Sequence, residues 1–277
     1  MLLRSGRIVI VTASILSLVW ILHLLEIIPS RSSWEKIRTQ FGPSPRPESK
    51  DPSEIKEDDL LTVQKPVDVV IAKTKGQDTS WLPQNFPEWG HKIYSVDDDS
   101  TPLKVPSNKG HESMVYLTYI IDNYDQLPEF IFFIHAGRFQ WHNDDLDFDQ
   151  YAILKKIRLD YVREQGYASL RCVWHIGCPH EIQPAKDVNL TDKPTSQAFL
   201  PAFKEIFPMK EIPELVSVTC CAQFVVTRER IHTHPKEDYI GYRDWVLTTS
   251  LDDGVSGRVF EYLWHSKQAF EQFLSMY

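Results

Sequence analysis

The sequence predicts a single layered α/β domain held behind an N-terminal membrane-spanning helix. Three observations predict it. An apolar segment of 21 residues, Ile8 to Ile28, stands near the start. A polar, proline-rich stretch follows as far as Pro66. Beyond it a β-branched run, an alternating run, an amphipathic run and a Phe-rich run succeed one another as strand, strand, helix and strand.

At 1.5 Å per residue, residues 8–28 reach across a hydrocarbon layer of about 30 Å, interrupted only by His23 and Glu26 near the far end. A cleaved signal peptide has a shorter apolar region and a small-x-small site, and none precedes Pro29. Basic residues flank both ends, so their count does not set the orientation. The seven-residue tail before the anchor and the large domain behind it favour a cytoplasmic N-terminus. Residues 29–66, with Pro43, Pro45, Pro47 and Pro52 beside the charged run Glu54 to Asp59, read as an extended stem. Residues 67–277 have the length of one domain.

Within that domain Val67 to Ala72 reads as a buried first strand and His91 to Val96 as a second. A helix starting near Asn108-Lys-Gly-His-Glu112 carries Met114, Leu117, Ile121 and Tyr124 at helical spacing and stops before Pro128. Phe130 to Ile134 is nearly all apolar, as a strand covered on both faces is. Residues 151–164 read as one helix, Leu215 to Val226 as a long kinked strand or two short ones, and two helices, about 235–247 and 256–270, close the chain.

The chain is acidic, with a net charge of -8 and pI near 5.7. Arg4 and Arg7 are counted in that charge, so the exposed domain is more acidic still. Such a balance disfavours nucleic acid as a partner. Cys172, Cys178, Cys220 and Cys221 all follow the anchor. In a secretory lumen they allow three complete pairings, of which a bond between the adjacent Cys220 and Cys221 is the least expected. Asn189-Leu-Thr191 is a glycosylation acceptor triplet in a polar, proline-containing loop.

In open α/β sheets ligands sit beyond the carboxyl ends of the strands. Lys73, Asp97 to Asp99, and the segment His135 to Asp149 follow three such ends. That last segment packs His135, His142, Arg138, Asp145 and Asp147 into a short span; imidazole and carboxylate suit Mn²⁺ or Mg²⁺, and Arg138 suits an anionic phosphate. Asp145-Leu-Asp147, Asp147-Phe-Asp149 and Asp97-Asp-Asp99 have the spacing by which two carboxylates place oxygens on one hard cation. The competing reading of the aspartates is an acidic surface loop with one residue capping the next helix. Arg258, Glu261 and His265 share one stripe of the last helix, where a carboxylate suits a general base; a surface ion pair explains the stripe as well. The familiar hydrolase, nucleotide-hydrolase and dehydrogenase motifs do not occur.

Several stretches read together: Val69-Val-Ile-Ala-Lys73, Asn108 to Glu112 with Tyr116 to Pro128, Phe133-Ile-His135 with Trp141-His142, Cys220 to Ile231, and Gly257-Arg-Val-Phe-Glu-Tyr-Leu-Trp-His265. Over roughly Val67 to Phe270 the chain resembles a mostly fungal family described as domain of unknown function 3431. More distantly it resembles Golgi glycosyltransferases of the GT-A class. That resemblance implies a Rossmann-like sheet, a nucleotide-sugar under the first strands and a metal at the end of the Phe-rich strand. His135-Ala-Gly137 stands where such enzymes usually show D-x-D.

The expected function is therefore a type II membrane protein of the Golgi or ER, its domain in the lumen, transferring a sugar from a nucleotide-sugar to a glycan acceptor. Lys73, Asp97 and Arg138 are expected on the donor; His135, His142, Asp145, Asp147 and His265 on a divalent metal; Asp253 or Glu261 as the base. The alternatives are a non-catalytic glycan-binding or scaffold ectodomain and, on the His/Asp cluster alone, a metal-dependent hydrolase.

Overall fold

Two strands are apolar along almost their whole length and form the centre of the sheet: β1 (Val67–Lys73) and β3 (Phe130–His135). The computed structural model describes residues 66–173 and 182–274, with side chains as far as Trp264. These residues fall within one compact unit, Thr62–Tyr277. The predicted anchor and nearly all of the stem lie outside the described residues. Among those described, no helix is long and apolar enough to cross a membrane.

Between β1 and β3 come α1 (Trp81–Asn85), β2 (Gly90–Ser95) and α2 (Glu112–Asn123). After β3 follow α3 (Gln150–Lys156), α4 (Leu159–Gln165), β4 (Tyr167–Ser169), α5 (Pro184–Asp187) and α6 (Pro194–Ile206). β5 (Phe224–Thr227), α7 (Arg228–Ile231), α8 (Lys236–Thr248) and α9 (Asp253–Leu274) complete the order. The result is a mixed five-stranded sheet in an α/β domain, strand order β2-β1-β3-β5-β4. β1 runs parallel to β2 and β3, whereas β5 runs antiparallel to β3 and β4.

The period-two alternation of the strands sorts their side chains into two cores. Val70, Ile131, Phe133, Phe224 and Val226 pack with α2, α6, α8 and α9. Val69, Ile71, Phe132, Ile134 and Val225 pack with α1, α3 and α4 on the other face. Each fully buried side chain of this size contributes on the order of 2–3 kcal/mol. Asp68 is the buried polar residue of β1; Tyr119 Oη donates to it at 2.7 Å and Lys92 Nζ lies 3.7 Å away.

The structure departs from the sequence expectations in four places. The helix expected over 151–164 is two, because Ile157 and Arg158 are extended. The run from Leu215 pairs as a strand only from Phe224; Val216 makes an isolated bridge to Ile182, and Cys221 and Ala222 turn at positive φ. α6 forms with Pro201 inside it, over a stretch where the sequence reading names no element. Cys220 and Cys221, expected to be the least probable pair, are disulfide-bonded. Cys172 is an exposed free thiol, and Cys178 lies outside the described residues.

Candidate functional site

From β1 the chain crosses to β2 on one side and then back over to β3 on the other. Connections that leave a strand in opposite directions open a crevice at the carboxyl ends, between β1 and β3. A cavity of about 410 Å³ lies there. Ala72 and Lys73 of β1 with Thr74 just after it, and His135 of β3 with Ala136 just after it, form its floor. Asn108, His111 and Glu112 ahead of α2, Asp253 from α9, and Gln140 and His142 from the loop after β3 form its walls.

The wall ahead of α2 is built by a backbone that glycine permits. Gly110 has φ +68° and His111 follows at φ 52°. Lys109 Nζ donates to the carbonyls of Leu247 (3.2 Å) and Thr249, capping the carbonyl end of α8. Gly110 N–H reaches Asp253 Oδ1 at 3.4 Å. Asp252 caps α9 by accepting from Val255 N–H at 3.0 Å. At Gly257 a Cβ would approach His111 Cδ2 to 2.8 Å, so the absence of a side chain lets α9 dock on the turn. The N-termini of α2 and α9 thereby meet at one wall, each presenting the positive end of its dipole.

The two histidines are ordered by a residue that sequence reasoning missed, Gln223. The backbone N–H of His135 can only donate, and Gln223 Oε1 accepts it at 3.1 Å. Gln223 Nε2 is thereby turned toward Asn143 Oδ1 (3.2 Å) and His142 Nδ1 (3.3 Å). Asn143 is oriented in turn by donating to the carbonyls of Arg138 and Phe148. His142 Nδ1 must therefore accept, and its proton sits on Nε2, facing His135 Nδ1 at 3.0 Å. His135 then carries its proton on Nε2, 3.8 Å from Glu112 Oε1. Burial first, then the neighbouring His135 and Arg171, pushes His142 down to about 4, so the ring is neutral at pH 7 as this chain of donors requires.

This pattern does not fit a metal bound by the pair. Both nitrogens of His142 are engaged and His135 Nε2 bears a proton. Freeing His135 Nε2 as a ligand would reverse the chain and set the Gln223 amide against a His142 Nδ1–H. The expected carboxylate ligands also stand elsewhere. Asp145 accepts from Lys156 Nζ at 3.0 Å, which first of all holds its carboxyl below the usual range. Asp147 is exposed, and neither aspartate lines the cavity. The side chain of His265 lies outside the described residues. Among the described residues, the group with clustered ligand atoms is Cys220, Cys221 and Glu261, whose two sulfurs are bonded to each other.

Arg138, expected on phosphate, donates from Nε and Nη2 to both oxygens of Asp149, each at 2.8 Å. Asp149 in turn caps α3 through Tyr151 N–H. Asp97 accepts from Lys75 N–H at 2.7 Å. Glu261 accepts from Cys221 N–H, and burial raises its pKa most. The structure thus gathers Lys73, His135, His142 and Asp253 at one cavity and leaves Asp97, Arg138, Asp145 and Asp147 outside it. It adds Glu112, Asn108 and Gln140 to the walls and Gln223 behind them.

Residues 69–272 match the family model described as "Protein of unknown function (DUF3431)". No curated protein and no solved structure matches the chain.

Proposed function

The chain belongs to the DUF3431 family, and from the cavity at its β1–β3 crevice we propose a glycosyltransferase-like activity on a GT-A-like, Rossmann-type sheet. The observation that carries this reading is one recess holding a lysine, an imidazole N–H donor and two carboxylates. Lys73 meets the diphosphate of a nucleotide-sugar. Asp253 removes the proton of the acceptor hydroxyl as its oxygen bonds to the anomeric carbon. The bond from that carbon to the phosphate oxygen breaks, and the diphosphate leaves with the electron pair toward Lys73. Base assistance of this kind is worth about 10² to 10⁴-fold.

The protein acts as a type II membrane protein of the Golgi or ER, anchored by residues 8–28 with its domain in the lumen. The Cys220–Cys221 disulfide and the exposed Asn189 of the glycosylation triplet support that placement. Because the histidine pair is committed to the Gln223 chain, Lys73 and the helix N-termini hold the donor without the expected His–Asp metal site.

Calorimetry on the full chain in detergent, against a panel of nucleotide-sugars, tests this reading. Heat is expected with at least one donor, retained under chelator and abolished by Lys73→Ala. No heat from any donor overturns the proposal and leaves the glycan-binding ectodomain, which needs no donor.

A further inference from the structure

The loop between β3 and α3 exposes large apolar side chains at the edge of the cavity. Phe139 and Trp141 are each 62% exposed, Leu146 99% and Phe148 49%. Two of these rings are held in place. Arg171 Cζ lies 5.3 Å from the centroid of the Trp141 ring, which also stands edge-on to His142 at 5.3 Å and 74°. Arg171 is itself 6% exposed and donates to the His142 carbonyl at 3.0 Å; its Nε has no hydrogen-bond partner among the described residues. Phe139 is backed by Arg138 at 4.9 Å, and Arg138 is fixed by both oxygens of Asp149. Each ring therefore rests on a guanidinium that is itself held by hydrogen bonds, with most of its surface exposed. Gln140, between them in sequence, and His142, directly after them, line the cavity.

Exposed aromatic rings normally cost free energy to leave in water, and rings already fixed lose little freedom when a ligand covers them. The fitting ligand has an apolar face and a polar rim, at the mouth of a recess lined with amides, imidazole and carboxylates. A pyranose ring has that shape: its C–H face lies on the aromatic ring and its hydroxyls reach the polar edge. A membrane surface also takes aromatic side chains. Here Asp144 and Asp147 of the same loop are exposed carboxylates beside the rings, and sinking the rings into a bilayer would strip those charges of water.

We propose that Trp141 and Phe139 form a stacking platform for a sugar ring of a glycan. That glycan is the acceptor, a role that rests on the transferase reading, whereas the platform itself does not. The full chain, in a detergent without sugar headgroups, is presented to a glycan array and the binders are followed by saturation-transfer NMR. Trp141→Ala is expected to weaken glycan binding roughly tenfold, the scale of one lost aromatic contact. Trp141→Phe loses less, Leu146→Ala loses nothing, and far-UV circular dichroism is unchanged in all three. Glycan binding that Trp141→Ala leaves intact overturns the platform, as does a blank array. A blank array with vesicle binding that Trp141→Ala and Leu146→Ala both reduce assigns the loop to the membrane instead. Loss of glycan binding in Trp141→Ala from a chain that shows no donor heat leaves the platform standing and the transferase reading overturned.

Discussion

The parallel and antiparallel halves of the sheet supply the cavity in opposite senses. β1 and β3 run toward it and deliver Lys73 and His135 from their carboxyl ends. β5 runs away from it; its pairing of Phe224 with Phe133 sets the residue before the strand, Gln223, beside the last residues of β3. Side chains from the parallel half face the recess. From the antiparallel half Gln223 stands behind them and fixes the protons of the histidine pair. A reading that looks for chemistry only at carboxyl ends finds the first set and misses the second.

Breaking the recess itself should have the largest effect. Asp253→Asn is expected to lower turnover by about 10² to 10⁴-fold with donor heat retained, because the base is lost and the shape kept. His135→Ala removes a donor aimed into the site, and losses of about 10² to 10³-fold attend such deletions. Both are read from product formation with saturating donor. Turnover that survives both substitutions places the chemistry elsewhere.

A smaller change from behind tests the antiparallel half. In Gln223→Glu the His135 backbone N–H keeps an acceptor, but the second oxygen calls for a proton on His142 Nδ1. His142 Nε2 then accepts from His135 Nδ1–H, and His135 turns a bare Nε2 toward the recess. Nitrogen-15 NMR should find both rings protonated at Nε2 in the natural chain and at Nδ1 in the variant. The His142 pKa should rise from its value of about 4. Unchanged tautomers would remove Gln223 from its positioning role.

His142 also makes a pH prediction. Its pKa is about 4 in the folded chain and near 6.5 in an unfolded one. Above ~6.5 neither state binds a proton at this ring, and its contribution to stability is complete. As pH falls toward ~4 the unfolded chain takes up a proton that the native ring refuses, and stability drops. Allowing for partial exposure, the loss is on the order of 2 kcal/mol. Urea midpoints at pH 7 and 4.5 should differ more for the natural chain than for His142→Asn; equal differences would assign the acid sensitivity to other groups.

How much of this was legible depended on how locally each feature is encoded. Long apolar runs announced β1 and β3, and strand-end reasoning reached Lys73 and His135, since burial and direction are local properties of those segments. α6 was hidden because Pro194 and Pro201 signal a break, although Phe199, Phe203 and Ile206 give it an apolar face that the core buries. β4, three residues long, carries no period of its own. The vicinal disulfide interrupts a run that reads as extended, and nothing local reports its closed turn. Gln223 was invisible for a different reason: its role depends on which strand runs antiparallel to which, a property of the whole sheet. For the same reason an arginine near four aspartates suggested a phosphate site, while the fold pairs it with one of them.

That pairing gives the smallest expected effect, and the one that most sharply separates support from chemistry. Arg138 and Asp149 bind each other through two hydrogen bonds, Arg138 lies over the Tyr151 ring at 5.3 Å, and Asp149 caps α3. Asp149→Ala removes the cap and half of the pair, so it should cost about 1–2 kcal/mol of stability. Neither residue lines the cavity, and donor heat should stay as in the natural chain. Arg138→Lys keeps the charge but loses the two-pronged geometry, so it should destabilise less than Asp149→Ala and again leave donor heat unchanged. A phosphate-binding arginine behaves in the opposite way, losing donor heat with little change in stability. Calorimetric binding beside thermal melts of the two variants therefore decides between a brace under the aromatic loop and a contact with the donor.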